Sequence, residues 1–285
     1  MNNFVKRTIS GIGFAAIMLA AFLTNQYVFG TVMLFALVVM MWEFLRMTCG
    51  KEYRYSQILS ILSGATLFAL VYCCKAFGFP GRLIILAFIP VFLLMINSLY
   101  VKDKSRFDKF ANLYTAILYI AVPWSVLNFA AFSADGAFSG KLLFCFFCII
   151  WGSDVGAYLF GITLGQKYGK KLFPSISPKK SWIGFWGGML MAIAVSVTLY
   201  LVGWFPNFSA CEATNIFNYV AMAVLLHITG VYGDLIESQW KRHYNVKDSG
   251  NIIPGHGGLL DRFDSALIAI PMGVIYLVLA HVIHL

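Results

Sequence analysis

Charged residues are scarce in this chain of 285 residues. They make up 12% of the sequence, about half of the roughly 25% that is typical of a soluble domain. Hydrophobic residues account for 60%, and the mean hydropathy is +0.79. This composition excludes a single water-soluble core. It predicts an all-α, polytopic integral membrane protein.

Other features are absent as well. The sequence shows no internal repeat, no low-complexity segment and no soluble insertion of useful size. No small-residue cleavage site follows the first apolar run, which begins near Ile9, so we expect that run to span the membrane. Cys145 and Cys148 have the spacing of a metal-binding pair, but no second pair accompanies them. We therefore expect them to pack in the core.

Nine apolar segments are long enough to be candidates for crossing a hydrocarbon core about 30 Å thick. The ninth is short for a full span. They lie at about residues 9–25, 27–48, 56–78, 82–100, 110–133, 141–165, 183–204, 216–238 and 265–284.

The basic residues test this arrangement. Nine crossings place the N-terminus and the loops after spans two, four, six and eight on one side, where 18 of the 21 Lys and Arg residues then lie. The positive-inside rule makes that side cytoplasmic. It also explains the net charge of +9 without a nucleic-acid partner. We expect a multi-pass protein of the cell inner membrane, with loops 166–182 and 239–264 together on the cytoplasmic side.

Several carboxylates lie inside or at the ends of predicted spans. A charge at bilayer depth costs about 2.5–3.5 kcal/mol on insertion scales, so an intramembrane carboxylate is a functional-site hypothesis. Asp234 and Glu237 share one helix face with Ser238 and Lys241, which favours a polar, water-filled cavity. Asp154 lies among small residues that let helices approach closely. The alternative is that such groups pair with each other and fix helix packing; for Glu43 the two interpretations are equally open.

Loop 166–182 contains the sequence Ser175-Ile-Ser-Pro-Lys-Lys-Ser181. The ammonium groups of Lys179 and Lys180, flanked by the hydroxyls of Ser177 and Ser181, suit phosphate oxygens. Taken alone, the pattern would favour an ordinary cytoplasmic anchor or a patch for anionic lipid head groups. The neighbouring loop 239–264 favours a phosphate site.

Loop 239–264 combines glycines with charges of both signs. The Gly255-His-Gly-Gly258 turn precedes a helix start, and such backbone forms an anion-binding nest. Asp261 and Asp264 follow, three residues apart and beside Arg262. They could be simple helix caps. Two carboxylates beside a cation and a glycine nest also suit a polyphosphate bound with Mg²⁺, which prefers oxygen ligands shared with substrate phosphates.

The stretch from Ser238 to Asp264 resembles the signature of the phosphatidate cytidylyltransferases, also called CDP-diacylglycerol synthases. The resemblance extends upstream to residues 233–238, 153–158 and 177–181, and so covers roughly the C-terminal half. Two residues depart from the usual pattern: Trp240 replaces an aliphatic residue or Met, and Ile183 replaces a common Glu. The matching signature residues are Ser238, Lys241, Arg242, Lys247, Asp248, Gly250, Pro254, His256, Gly257, Gly258, Asp261, Arg262 and Asp264.

The resemblance implies an enzyme that joins CTP to phosphatidate, giving CDP-diacylglycerol and pyrophosphate. Residues 1–133 would be an N-terminal membrane-span region and residues 134–285 the catalytic membrane region, whose polar cavity faces the cytoplasm. The implied partners are CTP, phosphatidate and membrane lipids, with a homodimer allowed, and Mg²⁺ is the implied cofactor.

The expected residue roles fall into three groups. Asp154, Asp234, Asp261 and Asp264 are the expected metal ligands. The expected catalytic groups are Lys241, Arg242, Lys247, Asp248, His256 and Arg262, with His256 at the leaving pyrophosphate. The expected substrate-binding residues are Ser177, Lys179, Lys180, Ser181, Ser238, Gly257 and Gly258.

Three rival functions differ in class. A transporter or channel for an anionic substrate would also use intramembrane carboxylates, but transporters commonly show repeated halves, which this sequence lacks. A CDP-alcohol phosphotransferase would require an Asp-Gly-x-x-Ala-Arg core, which is absent. A non-catalytic lipid-binding protein would require a decayed site, and apart from Ile183 the pattern is whole.

Overall fold

The computed structural model describes residues 3–101, 107–133, 135–205, 212–255 and 257–283. Within these residues the chain forms nine helical segments and one small hairpin. The helical segments are α1 (Asn3–Leu23), α2 (Gln26–Cys49), α3 (Arg54–Phe77), α4 (Gly81–Leu99), α5 (Phe107–Ala131), α6 (Lys141–Tyr168), α7 (Trp182–Leu201), α8 (Glu212–His243) and α9 (Leu260–Leu279). The hairpin consists of β1 (Lys171–Phe173) and β2 (Ser177–Ser181).

Eight segments of the described chain, in α2 to α9, are long and apolar enough to cross a membrane. The apolar part of α1, Thr8–Leu23, is shorter. The prediction of an all-α polytopic membrane protein is therefore confirmed. Asn25 separates α1 from α2, and its side chain caps α2 by accepting hydrogen bonds from the backbone N–H groups of Tyr27 and Val28, each at 3.0 Å.

Contacts between loops show which ends of the helices lie together. Lys109, at the start of α5, pairs with Glu52 after α2 at 3.3 Å. The Asn112 amide donates to the Tyr244 hydroxyl at 2.9 Å, which links α5 to the segment after α8. The Ser10 hydroxyl of α1 donates to the carbonyl of Pro254 at 2.9 Å.

The same end carries the β1–β2 hairpin. Arg242, at the end of α8, donates from Nε to the carbonyl of Ile176 in the hairpin turn at 3.3 Å. The two strands are antiparallel, with Lys171 opposite Ser181. Ser181 then begins α7, because its hydroxyl accepts a hydrogen bond from Gly184 N at 3.1 Å. Loops 166–182 and 239–264 thus lie together, as the alternation of spans predicts.

Aromatic packing fixes α9 in the interior. Phe263 is 1% exposed, and its ring centroid lies 4.8 Å from that of Trp124 and 5.6 Å from that of Phe14. The Trp124 indole donates to the carbonyl of Met33 at 2.9 Å, so α1, α2 and α5 all contribute to the setting of α9. A buried aromatic cluster of this kind holds the adjacent Asp264 in a defined position.

A glycine lets α8 and α9 approach closely. A Cβ added at Gly233 would lie 2.6 Å from the carbonyl oxygen of Asp264. The missing side chain therefore permits backbone contact between the two helices. The next residue, Asp234, is brought to the part of α8 that faces the first turns of α9.

Candidate active site

Six carboxylates from four helices gather at the end of the molecule that carries the hairpin. They represent half of the 12 Asp and Glu residues in a chain with a net charge of +9. Direct contacts, shared cavity walls and mutual electrostatic interactions link these residues. We call this set the acidic cluster, and its members are Glu43, Asp154, Asp234, Glu237, Asp261 and Asp264.

Asp234 links α8 to the hairpin. Its carboxylate lies 2.6 Å from the ammonium group of Lys180 and accepts a hydrogen bond from the Ser238 hydroxyl at 3.1 Å. The side chains of Lys180 and Asp234 are both partly exposed. The pair therefore joins a residue predicted to bind metal with one predicted to bind phosphate, and a ligand can reach both.

Lys241 occupies a different environment from the one its sequence role suggests. It is 9% exposed and pairs with both Glu237 and Asp261, the latter at 2.8 Å. A buried charge requires such partners, because an isolated ion in a low-dielectric interior is costly. Lys241 thus neutralises carboxylates inside the acidic cluster.

Asp261 organises the loop before α9. Its two oxygens accept hydrogen bonds from Gly258 N at 2.7 Å, from the Ser249 hydroxyl at 3.0 Å and from Ser249 N at 3.0 and 3.2 Å. With the Lys241 contact, these bonds occupy most of its acceptor positions. Asp261 is therefore engaged in holding the loop closed.

Asp154 and Asp264 are less engaged. Asp264 accepts a hydrogen bond from the backbone N of Ser265 at 2.6 Å, and in the described part of the chain neither carboxylate forms an ion pair. Both interact electrostatically with Asp234 and with each other. Carboxylates this close together that form no direct ion pair of their own suit a bound cation.

Two cavities meet at Asp154. The larger, about 590 Å³, has an apolar wall that includes Ala157, Gly161 and Phe185 and a polar end formed by Lys179, Lys180 and Asp234. The smaller, about 270 Å³, is lined by Asp261, Arg262 and Asp264 together with Gly11, Phe14 and Ala15 of α1. The first helix therefore contributes to the site, in addition to the C-terminal half.

The remaining predicted cations lie at the surface. Lys179, Lys247, Arg242 and Arg262 are exposed. Arg242 uses its guanidinium to donate to the carbonyls of Ile176 and, at 3.5 Å, Val246. Lys247 and Asp248 form no hydrogen bond or ion pair with other described residues. The four basic side chains can turn toward an anionic ligand.

The glycine turn has the backbone that its sequence predicts. Gly255 and Gly257 adopt positive φ angles of 78° and 85°, a region open to glycine at little steric cost. Ile253 N donates to the carbonyl of Gly257 at 3.1 Å. His256 lies outside the described residues.

Two predicted hydroxyls serve local structure. Ser181 caps α7, although it also lines the larger cavity. Ser238 donates to Asp234. Ser177 is partly buried at the start of β2.

Tyr119 is a candidate site residue that the sequence alone did not indicate. This residue lies in a π-helical turn of α5, Ile117–Ala121, and such turns are frequent at functional sites. Its hydroxyl is buried without a hydrogen-bond partner among the described residues, and it interacts electrostatically with Glu237, Asp264 and Asp234. The π turn spans five residues of an otherwise apolar segment, so no periodic polar signal marks it.

Within the described ranges, no three His, Cys, Asp or Glu side chains are grouped so that they could hold one metal ion. Mg²⁺ does not require such a cage, because it is commonly held by one or two carboxylates with water and substrate phosphates completing its shell. The unpaired carboxylates beside Asp234 fit that donor set.

The whole chain is similar to known proteins. The model of the cytidylyltransferase family matches residues 5–280. A phosphatidate cytidylyltransferase of Bacillus subtilis is 32% identical over 282 residues, which cover 98% of this chain and 99% of that protein. Proteins of the same name from Staphylococcus haemolyticus and Staphylococcus aureus are 35% and 36% identical over 64% and 58% of this chain, and over 64% and 60% of their own lengths. The chain therefore belongs to the cytidylyltransferase family.

Proposed function

We propose that this protein transfers CMP from CTP to phosphatidate, releasing pyrophosphate and giving CDP-diacylglycerol for phospholipid synthesis. The observation that carries the proposal is the larger cavity, whose apolar wall leads to the Lys180–Asp234 pair. A substrate with acyl chains and a phosphate head group requires that combination. The name of the relatives and the near-complete match to one of them support the same reaction.

The chemistry asks little of a general base. An oxygen of the phosphatidate phosphate, already anionic, forms a bond to the α-phosphorus of CTP. The bond from that phosphorus to the bridging oxygen of the β-phosphate breaks, and pyrophosphate leaves with its electron pair. The barrier lies in bringing anions together, which positioning and positive charge overcome.

The two cavities suggest where each substrate binds. Phosphatidate occupies the larger cavity, where Lys179 and Lys180 hold its phosphate and the hydroxyls of Ser177 and Ser181 assist. The triphosphate of CTP lies by the smaller cavity, where Arg262 reaches it. Asp154 lines both cavities, so the reacting atoms meet beside it.

The exposed loop residues complete the nucleotide site. Arg242 and Lys247 neutralise the triphosphate, and Asp248, the residue after Lys247 in the same exposed loop, acts beside them. The backbone of Gly257 and Gly258, with His256, receives the leaving pyrophosphate. Lys241 acts from within the acidic cluster by balancing Glu237 and Asp261, and Ser238 orients Asp234.

Mg²⁺ is the proposed cofactor. Asp234 and Asp264 would hold it, with Asp154 beside them, and Asp261 would join only by giving up contacts to its loop. When bound, the ion neutralises phosphate oxygens and makes the α-phosphorus more electrophilic. The donor set supports this choice, because carboxylate oxygens are the ligands that Mg²⁺ prefers.

The membrane setting follows from the charge distribution. We place the protein in the cell inner membrane with the acidic cluster facing the cytoplasm, because the excess of Lys and Arg is at that end. Residues 1–133 act as the N-terminal membrane-span region and residues 134–285 as the catalytic region, to which Glu43 and α1 contribute. A homodimer remains a prediction, which cross-linking in native membranes tests.

Product formation tests the proposal. Purified protein in detergent is given labelled CTP, Mg²⁺ and either phosphatidate or diacylglycerol, and the lipid fraction is analysed. We expect a labelled liponucleotide with phosphatidate and none with diacylglycerol, which lacks the nucleophilic phosphate. Absence of product with phosphatidate would overturn the assignment, as would uptake of CTP without turnover after the protein is reconstituted into vesicles.

A further inference from the structure

Glu43 is a buried carboxylate on α2 that the proposed chemistry does not use. It is 0% exposed, far along the sequence from the other members of the acidic cluster. Its Oε2 accepts a hydrogen bond from the backbone N of Leu260 at 2.9 Å and one from the Ser249 hydroxyl at 3.5 Å. A buried charge in a membrane helix is costly, so its retention calls for a physical reason.

The N-terminus of α9 supplies that reason. The residue at its N-cap position is Leu259, whose side chain forms no capping hydrogen bond. The first N–H groups of a helix lack partners inside the helix, and a negative charge there is favoured by the helix dipole. Glu43 therefore serves as a cap supplied by another helix, 217 residues away in the sequence.

The loop is shaped around this carboxylate. A Cβ added at Gly250 would lie 2.2 Å from Oε1 of Glu43, and one added at Gly258 would lie 2.6 Å from Oε2. Side chains at either position would displace the carboxylate. Both glycines thus allow the backbone before α9 to close over Glu43.

The position of α9 matters for the reaction proposed above. Its first two turns carry Asp261, Arg262 and Asp264, which line the smaller cavity. Ser249, which contacts Glu43, is also held by Asp261 through both its hydroxyl and its backbone N. A shift at Glu43 would therefore be transmitted to the residues that face the nucleotide.

We propose that Glu43 is a positioning residue, which caps the N-terminus of α9 from α2. The cap keeps Asp261, Arg262 and Asp264 in place along the wall of the smaller cavity. The activity part of this inference rests on the proposed function; the capping part does not. A helix that crosses the membrane in the N-terminal region then sets the geometry of the C-terminal site.

Two variants of similar size test it. Glu43→Gln keeps an oxygen acceptor at the N-terminus of α9, whereas Glu43→Met fills the same space without one. Glu52→Gln is the matched control, because Glu52 lies just after α2 and pairs with Lys109 outside the acidic cluster. All three variants are purified in detergent and compared with the wild type at equal protein concentration.

Hydrogen exchange at the backbone amides of residues 258–265 reports the cap directly. In Glu43→Met we expect these amides to exchange hydrogen at least about tenfold faster than in the wild type, as the loss of a hydrogen bond to a charged group predicts. Glu43→Gln should stay close to the wild type, and Glu52→Gln should match it. Equal exchange in Glu43→Met and the wild type would overturn the inference.

Kinetics provide the second readout. We expect kcat to fall by roughly 10- to 100-fold in Glu43→Met, as for small misplacements of reacting groups, with the KM for phosphatidate unchanged and substantial rescue in Glu43→Gln. Equal kcat in Glu43→Met and the wild type would contradict the positioning role. A wild-type protein that forms no liponucleotide would instead refute the proposed function, and the exchange result would still decide the cap.

Discussion

Lys180 of the hairpin and Asp234 of α8 lie 2.6 Å apart, so one cation and one carboxylate from separate elements share the polar end of the larger cavity. Both are partly exposed. Such a pair contributes little to stability, about 0–1 kcal/mol. Its location at the cavity therefore points to ligand binding, with the lipid phosphate replacing Asp234 as the partner of Lys180.

Replacing Lys180 tests that exchange of partners. Lys180→Gln removes the charge that receives the lipid phosphate, so we expect at least about a tenfold higher KM for phosphatidate, the effect of losing one charge-assisted hydrogen bond. Lys171→Gln is the control, because Lys171 lies in the same hairpin and contacts Gln166. Equal KM values in the two variants would contradict the assignment.

Asp261 and Asp264 should respond differently to the same substitution. Asp261→Asn removes one of the two carboxylates that pair with the buried Lys241 and weakens the hydrogen bonds that hold the loop. The free energy of unfolding should therefore fall by about 3 kcal/mol or more. Asp264→Asn breaks no ion pair with a described residue, so stability should hardly fall while activity and its dependence on Mg²⁺ change. Thermal unfolding and Mg²⁺ titrations measure both. The opposite pattern would exchange the two roles.

The role of the buried Tyr119 hydroxyl, which no sequence motif indicates, can be tested by substitution. Tyr119→Phe removes a hydroxyl that has no partner among the described residues, so stability should not fall. We expect that hydroxyl to form a hydrogen bond with a charged group when the substrates are bound, so kcat should drop about tenfold, the effect of losing one such bond. Tyr114→Phe in the same helix should keep full activity. An unchanged kcat in Tyr119→Phe would remove Tyr119 from the site.

The close contact between α8 and α9 predicts that substitutions at two glycines of α8 have different effects. A Cβ at Gly233 would meet the Asp264 carbonyl at 2.6 Å, whereas one at Gly230 would meet nothing nearer than 3.6 Å. Gly233→Ala should therefore push the helices apart and lower activity at least about tenfold through misplaced carboxylates. Gly230→Ala, one turn earlier, should be tolerated. Similar activity in both variants would show that the close approach is dispensable.

Much of the fold could be predicted because hydrophobic length is a local property. The span predicted at residues 27–48 appears as α2, Gln26–Cys49. The polar face of α8 was also predicted, since Asp234, Glu237 and Lys241 recur at helical spacing. The β1–β2 hairpin was not, because its strands contain three and five residues within a loop rich in charge.

The partners of individual side chains could not be predicted. Whether Lys241 faces phosphate or carboxylates depends on α9 packing against α8. Likewise, the contact between Glu43 and Leu260 joins residues 217 positions apart, and no local pattern encodes it. The sequence motif supplied the candidate residues, whereas the three-dimensional packing separates those that organise the loop from those that face the cavity.

The position of the label in the product tests the central claim most directly. Purified protein is given phosphatidate, Mg²⁺ and CTP that is labelled at either the α- or the γ-phosphate. We predict that the α-label enters the lipid fraction and the γ-label leaves in pyrophosphate, one for each lipid formed. Transfer of the γ-label to lipid, or release of pyrophosphate without phosphatidate, would contradict cytidylyl transfer at this site.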